Sequence, residues 1–357
     1  MSAGSPPPLR VGLLGYGLAG RVFHAPLIAA CPELALTAVV TRDPERRAAL
    51  HAAYPDAIAL DTPEQLWARA DALDLVVVAT PNRSHVPLAH AALQLGLPVV
   101  VDKPLAPSAA EARALIEHAH ARRRLVTVFQ NRRWDGDFLT VRRLLDEGAL
   151  GAVRRFESRF ERWNPMPRQG WRERGDPAEA GGLLFDLGAH LIDQALQLFG
   201  PVRAVYAELD RRRPGVVVDD DAFVALTHES GTRSHLWMSK VAAQRGPRFR
   251  VLGERAAFTK HGLDGQEPAM AAGGVPGAPG WGEEPPERWG LVGDDGATRP
   301  VPTEAGCYSR FYEAVAAAVR RGAPVPVDPD EAADALDIIE AARVSAERGQ
   351  IVQLDAE

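Results

Sequence analysis

A short apolar run, Val11-Gly12-Leu13-Leu14, stops at Gly15-Tyr16-Gly17-Leu18-Ala19-Gly20, and a helical pattern with Val22, Phe23, Leu27 and Ile28 on one side follows. Strand, Gly-x-Gly-x-x-Gly and helix, in that order, is the arrangement that lets a backbone turn hold a dinucleotide. Gly15 permits the tight turn, Gly17 lets the main chain approach a pyrophosphate, and Gly20 allows the helix to sit close on the strand. The free N–H groups of the helix start, with Leu18 and Ala19 between the glycines, then face the phosphates.

The surroundings strengthen this reading. Leu36 to Val40 reads as a second strand, Leu73 to Ala79 as a buried one rich in β-branched residues, and Pro98 to Val101 as a fourth after a helix-like stretch from Pro87 to Leu95. Strands alternating with helical segments predict a parallel sheet with right-handed crossovers, hence a Rossmann-like domain over 9–128 after a loose tail, 1–8. A length of 357 residues allows about two domains at roughly 150 residues each.

The end of the second strand bears on the choice of cofactor. An acid about 20 residues beyond the glycines binds the ribose 2′-hydroxyl of NAD. Here Thr41 stands at that place and Arg42 follows. A hydroxyl and a guanidinium suit a 2′-phosphate, so NADP(H) is preferred over NAD(H); the alternative puts Asp43 on the ribose and Arg42 in solvent. Thr80, Pro81 and Asn82 follow the buried strand at the sheet's carboxyl edge, where a cofactor crevice is expected.

Asp102-Lys103-Pro104 ends the next strand at the same edge, placing a lysine beside an expected nicotinamide. Further on, Gly181-Gly182 precedes an apolar stripe, Leu184, Leu187, Leu191, Ala195 and Leu198, with Asp186 and His190 one turn apart on another face. A carboxylate beside an imidazole orients it and raises its basicity, which suits a general base. Gly188 inside this helix implies a close approach by another element. A lysine in water and a solvated Asp–His pair are the structural alternatives.

Composition narrows the classes. Lys+Arg 41 against Asp+Glu 47 gives −6, which argues against nucleic-acid binding. Two cysteines, Cys31 and Cys307, exclude a disulfide framework and fit a cytoplasmic protein. No run approaches the ~20 apolar residues of a membrane span, the N-terminus lacks the order of a secretory signal, and no cluster has metal-ligand spacing.

Together the Gly15-x-Gly17-x-x-Gly20 turn, Asp102-Lys103-Pro104 and Asp186-x-x-x-His190 resemble the Gfo/Idh/MocA oxidoreductase family, with Asp102 standing where a Glu is usual. The stretches Asn131 to Asp135 and Gly280 to Glu284 are similar to its NADP-linked scyllo-inositol dehydrogenase-like branch. The resemblance implies a catalytic trio of Lys103, Asp186 and His190, acting on a secondary alcohol of a cyclic polyol or sugar. It also implies a homodimer or homotetramer formed through the second domain's open sheet. A cofactor-binding regulator without chemistry and a sugar or dicarbonyl reductase are the rival readings.

The second domain, 129–357, is expected to be α+β with a mostly antiparallel sheet: Val153 to Glu161, Val202 to Leu209, Ala222 to Thr227, Ser234 to Met238 and Phe249 to Leu252 show strand character. Residues 265–300, Gly/Pro-rich and aperiodic, read as a long loop, and helical patterns return at Phe311 to Val319 and Glu331 to Glu347. Asn131, Arg132 and Trp134 are candidate crevice residues, Trp163, Trp171 and Arg172 candidate pocket walls, and His24 a packing residue.

Overall fold

The structure, a computed structural model, describes residues 6–167, 173 and 175–354. Most of the expected tail and two candidate pocket residues, Trp171 and Arg172, lie outside the described residues.

The first half builds a parallel sheet from β1 (Leu9–Leu14), β2 (Leu34–Val40), β3 (Ile58–Leu60), β4 (Leu75–Val78), β5 (Val99–Asp102) and β6 (Val126–Phe129), in the order β3-β2-β1-β4-β5-β6. Every pairing is parallel. Leu75-Val-Val-Val78 and Val99-Val-Val101 are wholly buried because helices cover both faces, which is why these strands are continuously apolar. The crossovers are α1 (Ala25–Ala30), α2 (Pro44–Ala53), α3 (Pro63–Trp67), α4 (His85–Gln94) and α5 (Ala109–Ala121). Caps fix where several begin: Asp43, Thr62 and Ser108 accept from Arg46 N, Gln65 N and Glu111 N.

After α6 (Gly136–Asp146) the chain enters a nine-stranded mixed sheet. It comprises β7 (Val153–Glu161), then, beyond α7 (Ala189–Phe199), β8 (Val202–Asp210), β9 (Asp221–His228), β10 (Arg233–Ser239), β11 (Phe249–Gly253) and β12 (Ala257–Lys260). Its pairings are antiparallel except for β7 with β10. Along β9 burial alternates residue by residue, the mark of a sheet with one covered face.

The expected loop over 265–300 is one only in part, chiefly over 272–289. It contains α8 (Gln266–Ala271) and the hairpin β13 (Gly290–Gly293) and β14 (Thr298–Val301), which extends the sheet edge through β12. Apolar periodicity misses them because the strands have four residues each and the helix six, with Pro268 in its first turn. The final helices, α9 (Ser309–Arg321) and α10 (Pro329–Arg348), lead to β15 (Val352–Gln353), which pairs with β8. α9 packs on α1, while α10 packs on α5, β6 and β8, so the C-terminal segment ties both sheets into one core. The Thr127 hydroxyl donates to Val327 O at 2.6 Å across that joint.

Candidate active site

The glycine turn has the conformation its spacing predicts. Gly15 has φ +95°, and a Cβ there would lie 2.5 Å from Ala79 O; one on Gly20 would lie 2.0 Å from Gly15 O. Any side chain at either position forces the backbone apart. Gly17 differs, because its Cβ would meet nothing nearer than Arg46 Nη1 at 3.8 Å and would project into a cleft of about 740 Å³. The helix starting at Ala19 opens as a π-turn running to His24 and has no side-chain cap at Leu18. This cradle fits a pyrophosphate.

The cleft runs from Arg42 and Arg46 at one end to Lys103 and Asp186 at the other, past Thr80 and Pro81. Thr41 is buried, its N–H given to Leu60 O, while the exposed Arg42 lines the cleft. Asp43, the alternative ribose ligand, accepts from Arg46 N at 3.0 Å and pairs with that guanidinium at 3.7 Å. Asn82 also borders the cleft, but its amide donates to Glu179 O at 2.9 Å, joining the first domain to the segment before the Asp186 helix.

That helix begins where Asp219 caps it. Leu184 N donates to Asp219 Oδ2 at 2.7 Å, and only glycine fits at 182, where a Cβ would lie 2.0 Å from Asp219 Oδ1. Residues Leu184–Gly188 form a π-turn that runs into α7, so the expected α-helix starts wider than a 3.6 period. The close approach at Gly188 is made by β10: a Cβ on this glycine would lie 3.2 Å from Met238 Cε.

At the cleft's inner end lies a second pocket of about 420 Å³, sharing Leu18, Ala19, Asp102, Lys103 and Asp186 with the first and adding His190. Lys103, Asp186 and His190, from two separate stretches of chain, thus line one cavity. Lys103 Nζ donates to Asp186 O at 2.6 Å and to Asp186 Oδ1 at 3.2 Å. The expected Asp186 bond to the imidazole is replaced at Nδ1, which faces Gln130 Oε1 at 3.2 Å. With that oxygen accepting, the hydrogen-bond pattern assigns the proton to Nδ1 and leaves the Nε2 lone pair available. Burial, then the charges of Lys103, Arg132 and Arg248, hold the His190 pKa well below the ordinary 6.5, so the ring is neutral at neutral pH.

Asp102 accepts from its neighbour Lys103 N at 2.8 Å and faces His24 Nε2 at 3.9 Å. Burial raises its pKa, but the nearby His24 imidazole, with His85 and Lys103, outweighs this and keeps it below the usual carboxylate range. His24 is fully buried, packed on Phe129 and bonded through Nδ1 to the Tyr312 hydroxyl at 2.6 Å.

Asn131 and Arg132 line the second pocket; Trp134 packs edge-on against Phe311, and Trp163 is exposed. Sequence reasoning missed Gln130, Arg46, Glu267 and Arg162. Gln130 had a legible signal, one residue past β6 at the same carboxyl edge as Asp102, which pairs with Phe129. Among the described residues there is no cluster of three or more potential metal ligands, and no helix is long and apolar enough to cross a membrane.

A dinucleotide cradle ending at a polar pocket with lysine and neutral imidazole defines a nicotinamide-dependent oxidoreductase. The comparisons agree. Residues 9–130 match the model for the oxidoreductase family with an NAD-binding Rossmann fold, and 138–259 that for the GFO/IDH/MocA C-terminal domain. The chain is 35% identical to the scyllo-inositol 2-dehydrogenase (NADP(+)) IolW of Bacillus subtilis, covering 97% of this chain and 96% of that one. It is 28% identical to a D-apiose dehydrogenase of Paraburkholderia graminis over 84% of this chain and 76% of that one. The solved structure of YvaA from Bacillus subtilis superposes with a TM-score of 0.91 at 34% identity, covering 97% and 98% of the two chains. The chain belongs to the Gfo/Idh/MocA family and is an NAD(P)-dependent dehydrogenase acting on a CH–OH group.

Proposed function

We propose that the protein transfers a hydride between NADP(H) and a secondary alcohol of a cyclic polyol or sugar of the inositol type. The observation that carries this reading is the single cavity lined by Lys103, Asp186 and His190, opening into the glycine-lined cleft. The bound nicotinamide supplies the hydride acceptor, since that chemistry belongs to the cofactor. His190 Nε2 takes the hydroxyl proton, the ring being neutral and held by Gln130. Lys103, anchored on Asp186, stabilises negative charge developing on the alcohol oxygen. Asp186 fixes Lys103 rather than the imidazole Nδ1.

For the cofactor, Arg42 and Arg46 at the far end of the cleft, with Asp43 held by its cap and by Arg46, support NADP(H) over NAD(H). The relatives' scyllo-inositol and D-apiose substrates support a polyhydroxylated ring. The less covered face of the second sheet, carrying Phe223 and Trp237 side by side, pairs with a second copy of the chain.

The test is reduction of NADP⁺ by scyllo-inositol, myo-inositol and aldoses, followed at the NADPH absorbance. Turnover with at least one of them, lost in both Lys103→Met and His190→Asn, is the expected result. Equal rates in the wild type and both variants overturn the reading.

A further inference from the structure

The substrate pocket carries an unusual density of charge. Among its described lining residues are four cations, Lys103, Arg132, Arg162 and Lys240, and four carboxylates, Asp102, Glu173, Asp186 and Glu267. Lys103 meets Asp186 and Lys240 meets Glu173, each at 3.2 Å. The remaining pair of arginines converges on one carboxylate, Glu267, delivered by α8 from the segment that sequence reads as a loop.

Arg132 is buried and makes a hydrogen bond to Glu267 Oε2, while the half-exposed Arg162 approaches Oε1 at 3.9 Å. The Arg132 guanidinium is fixed from behind by the Tyr308 hydroxyl at 3.1 Å, by Asp135 at 3.6 Å and by the Phe160 ring. It therefore stays in place whether or not Glu267 is charged. Burial raises the Glu267 pKa, but Arg132 and then Arg162 pull it below the usual carboxylate range, so the side chain is ionised at neutral pH.

We propose that Glu267 is a charge-selectivity residue: by occupying Arg132 and Arg162 it confines the pocket to uncharged polyhydroxyl substrates and turns away sugar acids and sugar phosphates. An anionic ring entering beside Asp186 and Glu267 meets carboxylates and must displace one of them from its cationic partners, leaving a partly buried charge unpaired. Neutral hydroxyls incur no such penalty, because each can donate to the carboxylate and accept from a guanidinium while the ion pair stays closed. Without the Glu267 charge, Arg132 and Arg162 become a ready-made fork for a carboxylate or phosphate. This rests on the reading above only in taking the pocket as the substrate's, and it deepens that reading by fixing the charge of the substrate.

Binding of D-glucose and D-glucuronate, a neutral and an anionic form of one ring, is measured calorimetrically on the NADP⁺-loaded protein. The wild type is expected to favour glucose. Glu267→Gln, which keeps an acceptor for Arg132 while losing the charge, tightens glucuronate relative to glucose by about tenfold or more. The double variant Glu267→Gln/Arg162→Gln, which removes one charge of each sign, gives back most of that gain. A wild type that binds glucuronate as tightly as glucose overturns the proposal without recourse to any variant, and so does a Glu267→Gln protein with no gain in glucuronate affinity. Failure of the dehydrogenase reading is separate, because it shows as absent turnover while this test reads binding alone.

Discussion

The two ends of the cofactor cleft are built on different principles. The glycine end is set mostly within one short stretch: six consecutive residues, Gly15 to Gly20, leave β1 and enter the following helix, and their constraints are steric, with Gly15 pressed against Ala79 O and Gly20 against Gly15 O. The reactive end is assembled at a distance. Lys103 comes from the end of β5, Gln130 from the end of β6, Asp186 and His190 from the π-turn and α7, and Glu267 from α8. The first end tolerates no new atom at Gly15 or Gly20, whereas the second depends on charges and hydrogen bonds that a substitution can remove without moving the backbone. Changes at Gly15 or Gly20 should therefore affect folding and cofactor affinity together, and changes at the reactive end should affect rate.

The largest expected effect is at the reactive end. Lys103→Met and His190→Asn each lower kcat by about 10²–10⁴-fold with NADP⁺ affinity nearly unchanged, as steady-state kinetics and cofactor titration will measure. A parallel loss of cofactor affinity in both would break the contrast.

Next comes Gly20→Ala, whose Cβ meets Gly15 O. It should cost about 1–3 kcal/mol of stability and weaken NADP⁺ binding, read by thermal unfolding with and without cofactor. Gly17→Ala, with open space at the same point, should spare stability and weaken the cofactor alone.

Smaller is Arg42→Ala, expected to weaken NADP⁺ by about tenfold while leaving NAD⁺ nearly unaffected. Equal changes in both dissociation constants would return the ribose to Asp43.

The smallest effect is one of pH. Because His190 is held well below 6.5, it stays neutral as pH falls through 6.5, and the acid limb of kcat/KM for alcohol oxidation should lie below that value. The sign for stability follows the same shift: the unfolded chain binds a proton near 6.5 that the native ring refuses, so this contribution is present above 6.5 and is lost as pH falls below it. In His190→Gln the unfolding free energy should lose that part of its acid dependence, measured by denaturant titration at several pH values.

Much of the first half was legible in order. The Val-rich strands β4, β5 and β6 need burial on both faces, and that requirement shows directly in their composition. The stretch 265–280 and the hairpin after it were not, because Pro268 and many glycines hide elements too short to show a period. Asp186 and His190 illustrate a subtler miss. Spacing of four placed them together on an ideal helix, but the chain there widens to a π-turn, and the acceptor facing Nδ1 is Gln130, 60 residues away. Pairing preferences reach only to i+4 along a helix, so the helix pattern does not mark such a partner; only the place of Gln130 at the carboxyl edge beside Asp102 does.

By itself, then, the order of residues determined the parallel sheet, the glycine turn and the chemical types that end its strands, since each follows from backbone sterics and from burial over a few neighbouring positions. Tertiary structure alone decided that Lys103 leans on Asp186, that Gln130 sets the His190 tautomer and that Glu267 closes over two arginines. Those outcomes depend on how two sheets and the returning C-terminal helices bring distant side chains within hydrogen-bond reach, and electrostatic energy at about 3 Å is fixed by that packing rather than by separation along the chain.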